Sequence, residues 1–287
     1  MTVSRSRRFS SRTARERRTK ILGHLALILL SAVFMMPLVW AVTTSLKSLD
    51  QVFAIPPQWI PHPAEWGNYI RLFEVAPFAR FFLNSLVLVL FNVLGQVLAV
   101  SLVAFGFSRL RFPGRNVLFI LMLSTLMLPY YVTLIPTFVL FNFFGWIDTY
   151  LPLIVPAFTG SSFLIFLVRQ YMMTLPLQLD DAARIDGCNN LQLYWHVILP
   201  LSAPALTVVV VFTVVDVWND FFGPLIYLSD TQNYTLSLGL VLLQGQRETD
   251  WPLLMAATVI SIIPLLILYF FAQKQLIGGI ASVGIKG

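Results

Sequence analysis

The sequence predicts an all-α polytopic membrane protein with six transmembrane helices, a short cytoplasmic helix pair between the fourth and fifth, and both termini cytoplasmic. Three observations predict it. The 287 residues are 57% hydrophobic and only 11% charged, with a mean hydropathy of +0.79, which is too little charge to cover a soluble domain. Uncharged runs recur that reach the roughly 20 residues needed to cross a hydrocarbon core of about 30 Å. Fifteen of the 19 basic residues fall on alternate inter-span segments that include the N-terminus, and Lys and Arg accumulate on the cytoplasmic side of membrane helices.

The first run, 21–46, is bounded by Lys20 and Lys47, and the second, 81–108, by Arg80 and Arg109. Residues 116–168 contain one charge, Asp148, and are long enough for two spans that turn at Gly145-Trp146-Ile147-Asp148. The fifth run, 201–229, holds only Asp216 and Asp220, and the sixth, 251–273, holds no charge. Between the first two spans, Pro56, Pro57, Pro61, Pro63 and Pro77 keep a long helix from continuing. Trp59, Trp66 and Tyr69 there suit a headgroup-level or partner-facing surface. Interior prolines at 37, 129, 136, 156, 224 and 264 can kink their spans, and none is given weight by itself. Residues 1–20 carry eight basic groups and one acid, Glu16. They read as a disordered arm that orients the first span and touches anionic lipid; residues 21–287 form the transmembrane domain.

Residues 180–200 are a polar island between long apolar stretches, spaced as helix, glycine turn, helix. Asp180 and Asp181 complement the dipole at a helix start, and Ala182 and Ala183 support that helix. Gly187 stands where a residue with positive φ ends it. Asn189 or Asn190 can cap a second helix, whose apolar stripe is Leu191, Leu193, Tyr194, Val197 and Ile198. Pro200 and Pro204 mark its junction with the fifth span. A short helix lying across the membrane surface and rigidly joined to a span is a lever.

The string Asp181-Ala182-Ala183-Arg184-Ile185-Asp186-Gly187, followed by Tyr194-Trp195 and Ile198-Leu199-Pro200-Leu201, resembles the EAA loop of permease subunits in binding-protein-dependent ABC importers. Thr44-Ser45-Leu46-Lys47, Trp218-Asn219-Asp220-Phe221 and Gly284-Ile285-Lys286-Gly287 extend the likeness over most of the chain. They resemble the carbohydrate branch, specifically the second, maltose-type permease subunit. Two positions depart from the pattern: Asp181 replaces the usual Glu, and Cys188 replaces the usual Ala after the glycine. The resemblance implies a half-pore paired with a homologous permease subunit, two cytoplasmic ATPase subunits and an extracytoplasmic solute-binding protein, in a bacterial or archaeal cytoplasmic membrane. It makes residues 177–200 the coupling helix and assigns ATPase coupling to Asp181, Ala182, Ala183, Arg184, Asp186, Gly187, Tyr194, Trp195, Leu199 and Pro200. It also assigns binding-protein contact to Gln244, Gln246, Arg247 and Glu248, and makes the tail 281–287 a second candidate ATPase contact. No cofactor is expected on this chain, which has no GxxxxGK[ST] phosphate loop. ATP would belong to the partner ATPase, and no enzymatic activity is expected here.

Asp216, Asn219, Asp220 and Gly223 share one helical face if the fifth span is continuous. Carboxylates within a span usually mark a water-filled path or a pairing. Asp216, Asn219 and Asp220 are therefore the candidate lining of a translocation path, the other reading being that Asp220 caps or pairs within the bundle. The single cysteine, Cys188, has no disulfide partner, and His24, His62 and His196 are too scattered for a metal site or catalytic dyad. The alternative to an importer subunit is a self-sufficient secondary transporter or channel for small polar solutes. Asp216 and Asp220 favour it; the structured inner loop and the lack of an inverted repeat count against it.

Overall fold

A computed structural model describes residues 6–244 and 249–283. Helix follows helix throughout, with no strand among the described residues. Contacts divide the chain into two units, Met1–Leu72 with Thr249–Val259, and Phe73–Glu248 with Ile260–Gly287.

In the first unit, α1 (Ser6–Ser45) begins within the basic arm. The arm was expected to be disordered, but it holds no Gly or Pro to break a helix and is rich in Arg, a good helix former. Beyond α1 the chain turns into α2 (Leu49–Val52), where Ser48 and Gln51 form a reciprocal capping box, and later enters α3 (Gly67–Val75). Asn68 holds the turn after α1 by donating from Nδ2 to the carbonyls of Ser45 (3.0 Å) and Lys47 (2.9 Å). The Ser45 and Tyr69 hydroxyls meet at 2.8 Å. Lys47 is buried, its Nζ 4.5 Å from the Trp40 ring centre, and burial lowers its pKa. Arg71 pairs with Asp250 at the start of the last helix.

The second unit is organised on α4 (Phe78–Arg109). It continues through α5 (Arg115–Ser124), a 3₁₀ turn at Thr125–Met127, α6 (Tyr130–Phe143), α7 (Leu151–Ile154), a second 3₁₀ turn at Val155–Thr159, and α8 (Ser162–Thr174). The island follows as α9 (Gln178–Ile185), α10 (Asn190–Leu193), a π turn at Tyr194–Ile198 and α11 (Leu199–Leu201). Then come α12 (Ala203–Asn219), α13 (Phe222–Tyr227) and α14 (Leu236–Leu242); the last helix, α15 (Trp251–Val283), belongs to this unit from Ile260 on. Val100, Ala104 and Phe105 of α4, Ile165, Val168 and Met172 of α8, and Ala205 and Val209 of α12 share one buried cluster.

Four helical stretches are long and apolar enough to cross a membrane: Arg17–Ser45, Phe78–Arg109, Leu151–Thr174 and Trp251–Gln273. Two more are bent: Arg115–Met127 with Tyr130–Phe143 by 98°, and Asn190–Leu201 with Ala203–Asn219 by 75°. Six spans result if each bent pair counts as one. The first bend falls at Pro129, which has no N–H to donate, and it leaves Leu128 extended at ψ 112°. The fifth run also differs from expectation. Its helix stops at Asn219, and Asp220 turns extended (ψ 115°) with Oδ1 accepting the Gly223 N–H at 3.0 Å. Residues 216–223 therefore do not lie on one continuous helical face.

The turn expected at 145–148 is present, with Gly145 at φ 69° and Asp148 at φ 62°. Asp148 Oδ1 accepts the N–H groups of Ser229 and Asp230, both at 2.9 Å. Those bonds, with the Asp230 amide first and Ser229 next, hold its carboxyl pKa below the ordinary value, against a smaller opposing effect of burial. A pKa lower in the folded state contributes stability above the ordinary carboxylate value of about 3.9 and loses it as pH falls through the lowered one. Protection of the Ser229 and Asp230 amides from hydrogen exchange should persist at pH 4 and be lost only as pH falls further, through the lowered carboxyl value, and this titration should disappear in Asp148→Asn. A second expectation concerns packing. A Cβ on Gly239 would lie 2.3 Å from the ring of Phe81, which is fully buried, so Gly239→Ala should cost about 1–3 kcal/mol, read as a lowered Tm in detergent.

Candidate functional site

The island at 178–201 is built by local rules. Asp180 and Asp181 occupy the first turn of α9, where negative charge offsets the helix dipole. Gly187 ends α9 at φ 82°. The Gly187 N–H bonds to the Arg184 carbonyl (3.1 Å) and the Cys188 N–H to that of Ala183 (2.9 Å), the paired bonds of a Schellman ending. Of the two asparagines that could cap the next helix, Asn189 does so. Its Oδ1 accepts the Gln192 N–H and Gln192 Oε1 accepts the Asn189 N–H, both at 2.9 Å. The helix then widens into the π turn, with the Leu199 N–H reaching the Tyr194 carbonyl. Pro200 has no N–H with which to satisfy His196 in α-helical register, and π turns of this kind recur at functional sites.

One face of the island is fastened to the bundle. Ala183, Leu193, Tyr194 and Ile198 join the buried cluster of α4, α8 and α12. Tyr194 is 1% exposed, and its hydroxyl meets Ser101 Oγ of α4 at 2.7 Å. Asp180 is also buried, with Oδ1 3.5 Å from Nη1 of Arg109, the last residue of α4. Arg109 Nη2 donates to the carbonyls of Met172 (2.8 Å) and Leu175 (3.0 Å) at the end of α8, so one guanidinium ties three elements together.

The other face is open. Ile185 is 86% exposed, Leu191 61% and Trp195 48%, and they are accompanied by exposed Asp181, Ala182, Arg184, Asp186, Gly187 and Pro200. The expected coupling residues thus divide. Ala183 and Tyr194 point inward, Leu199 is half-buried, and the others are outward. Leu191, read as part of the apolar stripe, faces out, whereas Leu193, Tyr194 and Ile198 of that stripe are buried. Asp180, Arg109 and Ser101 were not singled out. Asp180 looked like a dipole complement, and Arg109 like an ordinary topogenic charge.

A second feature is a cavity of about 210 Å³ lined by Asn92, Tyr130, Asp216, Asp220 and Tyr227, with Leu88, Leu153 and Gly223 among its apolar and backbone walls. Asp216 and Asp220 meet there despite the break in α12. Asn219 is not part of the lining; it is exposed, with Nδ2 donating to the Val215 carbonyl at 2.7 Å. Asn92 is anchored by donating to the carbonyls of Leu88 (2.9 Å) and Leu153 (3.0 Å). Trp218 turns away, its Nε1 donating to the Ser261 carbonyl at 3.0 Å. No group of three or more His, Cys, Asp or Glu able to hold a metal occurs among the described residues. Gln244 is exposed, while Gln246, Arg247, Glu248 and the tail 284–287 lie outside the described residues.

Comparison with known proteins is consistent over most of the chain. A family profile described as the inner membrane component of binding-protein-dependent transport systems matches residues 92–281. A putative ABC transporter permease protein of Caldicellulosiruptor sp. (strain Rt8B.4) is 34% identical over 252 residues, 88% of this chain and 91% of that protein. The arabinooligosaccharides transport system permease protein of Bacillus subtilis (strain 168) is 32% identical over 263 residues, 91% of this chain and 93% of its own. A chain from the crystal structure of a bacterial ABC transporter involved in the import of the acidic polysaccharide alginate superposes with a TM-score of 0.81. It covers 96% of this chain and 99% of its own at 23% identity, a likeness of fold.

The corner between α9 and α10 is open to a direct test. A Cβ on Gly187 would meet nothing within 4 Å, so only the positive φ penalises a side chain there, by roughly 1–2 kcal/mol. Gly187→Asn should retain amide protection over 183–189, since Asn tolerates that conformation. Gly187→Val should lose it by about tenfold in hydrogen–deuterium exchange, with the core of α4 unchanged.

Proposed function

Because the chain belongs to the family of inner membrane components of binding-protein-dependent transport systems, we propose that it is one permease subunit of an ATP-driven sugar importer. It forms half of the translocation pathway and is driven by a separate cytoplasmic ATPase. The observation that carries this reading is the two-faced island at 178–201. A loop that merely joined two spans would need no buried anchor and no projecting apolar residues. Here Ala183, Tyr194 and Ile198 are built into the bundle while Ile185, Leu191 and Trp195 project from it.

In this reading the projecting face docks on the ATPase, with Asp181, Arg184 and Asp186 as its polar rim. An apolar centre within a charged border is the usual make-up of a protein interface. ATP-driven closure of the ATPases displaces the island, and its fastened face carries the spans between inward- and outward-facing states. Each state is favoured by its own contacts, as any switch requires. Both termini lie in the cytoplasm, where the basic residues of 1–20 meet anionic lipid. A second, homologous permease completes the pore, two ATPase subunits bind ATP, and the solute-binding protein approaches the opposite side near residues 243–250. The membrane is the bacterial or archaeal cytoplasmic membrane. Asp216 and Asp220 with Tyr130, Tyr227 and Asn92 offer hydrogen bonds and flat apolar faces to a hydroxylated solute passing the cavity. A sugar also fits the arabinooligosaccharide relative.

Purification from native membranes tests the proposal. The chain should bring down a second permease and an ATPase, and uptake in proteoliposomes should require ATP inside and binding protein outside. Gradient-driven transport by the purified chain alone would replace this reading with a secondary carrier. The docking face has its own expected outcome. Ile185→Asp combined with Trp195→Ala should weaken ATPase co-purification by about tenfold or more, the scale of loss when central apolar anchors of an interface are removed. Unchanged recovery across salt concentrations would remove the island from the interface.

A further inference from the structure

Two polar fastenings join the island to a single helix, and that helix also reaches the cavity. Arg109 closes α4 with a side chain only 1% exposed, and its partner Asp180 is 7% exposed. About two turns back, Ser101 Oγ meets the Tyr194 hydroxyl. Toward the other end of α4, Leu88 and Asn92 line the cavity that holds Asp216 and Asp220. Arg109 and Asn92 are separated by roughly 26 Å of helix at 1.5 Å per residue, with no proline between them.

Two of the other routes from island to cavity are sharply bent. The direct continuation into α12 bends by 75° at its start, and the α5–α6 arm bends by 98°. Two stretches run between the sites without a sharp bend: α4, a single α-helix from end to end, and Leu151–Thr174, which passes through the 3₁₀ turn at Val155–Thr159. A buried ion pair is poor evidence for stability, since apolar packing of the same volume often serves as well. Arg109 fixes two elements at once, because the same guanidinium also holds the final carbonyls of α8.

We infer that Arg109, paired with Asp180, is the positioning residue that passes displacement of the island to α4 and through α4 to the cavity wall. The inference rests on the importer reading above and adds the route within the chain. Arg109 touches neither nucleotide nor solute. Its loss should therefore separate ATP hydrolysis from uptake rather than abolish both.

The test uses the full complex in proteoliposomes, reading uptake and ATP hydrolysis in the same vesicles. Arg109→Gln and Asp180→Asn should each lower solute carried per ATP by about tenfold, within the usual range of coupling between sites, while ATPase co-purification stays at the wild-type level. Arg109→Lys, which keeps the charge but has no planar fork to span carboxylate and carbonyls, should recover part of that loss. Assembled variants with the wild-type ratio of uptake to hydrolysis would overturn the inference and leave the importer reading intact. A wild-type chain that recovers no ATPase would instead sink the importer reading. If Arg109→Gln does not accumulate, Arg109→Lys carries the measurement. If neither accumulates, the arginine serves folding alone and the inference falls.

Discussion

The hydrogen bond between Tyr194 and Ser101, beside the pairing of Asp180 with Arg109, makes the inner half of an extramembrane loop part of the membrane bundle. A surface helix held only by its chain connections would swing on them when pulled, and the spans would stay where they were. Fastened through a buried hydroxyl pair and a buried guanidinium, it cannot move without dragging α4 and the end of α8. The apolar cluster around Val100, Val168, Tyr194 and Ile198 supplies the bulk of the grip, and the polar contacts supply direction.

Breaks in the helices sit where they do because a membrane interior punishes unpaired backbone groups. Pro129 opens the bend after Thr125–Met127, and Ser202 lies at the bend before α12, where its N–H still reaches the Ile198 and Leu199 carbonyls. At the end of α12, Asp220 takes over a Gly223 N–H that helix continuation would have satisfied. The same carboxylate that repairs the backbone also lines the cavity, so both roles fall to one residue.

The parts legible in the sequence are those set by short-range chemistry. Gly187 as the helix stop, Asn189 as the next cap, Asp180 and Asp181 at the helix start, and the turn at 145–148 are each decided by a few neighbouring residues. The apolar runs were legible because bilayer thickness sets their length. What the sequence concealed depends on distant partners. Nothing near Arg109 marks it as different from Arg111 or Arg115, since its role is conferred by Asp180, Met172 and Leu175 on other elements. Tyr194 read as a contact residue because its burial depends on α4 being alongside. Asp216 and Asp220 share the cavity although the helix ends at Asn219, whereas Asn219, expected on the same face, is exposed outside it.

The corner at Gly187–Asn189 has a consequence for how the loop meets whatever holds it. Its shape is set by its own backbone bonds and the mutual capping of Asn189 and Gln192, without help from a partner. Such a knob arrives already moulded, so its seating exacts little ordering entropy. Under the proposed importer reading, a knob of this kind pivots in its socket like a ball joint and keeps one surface engaged at both ends of a stroke.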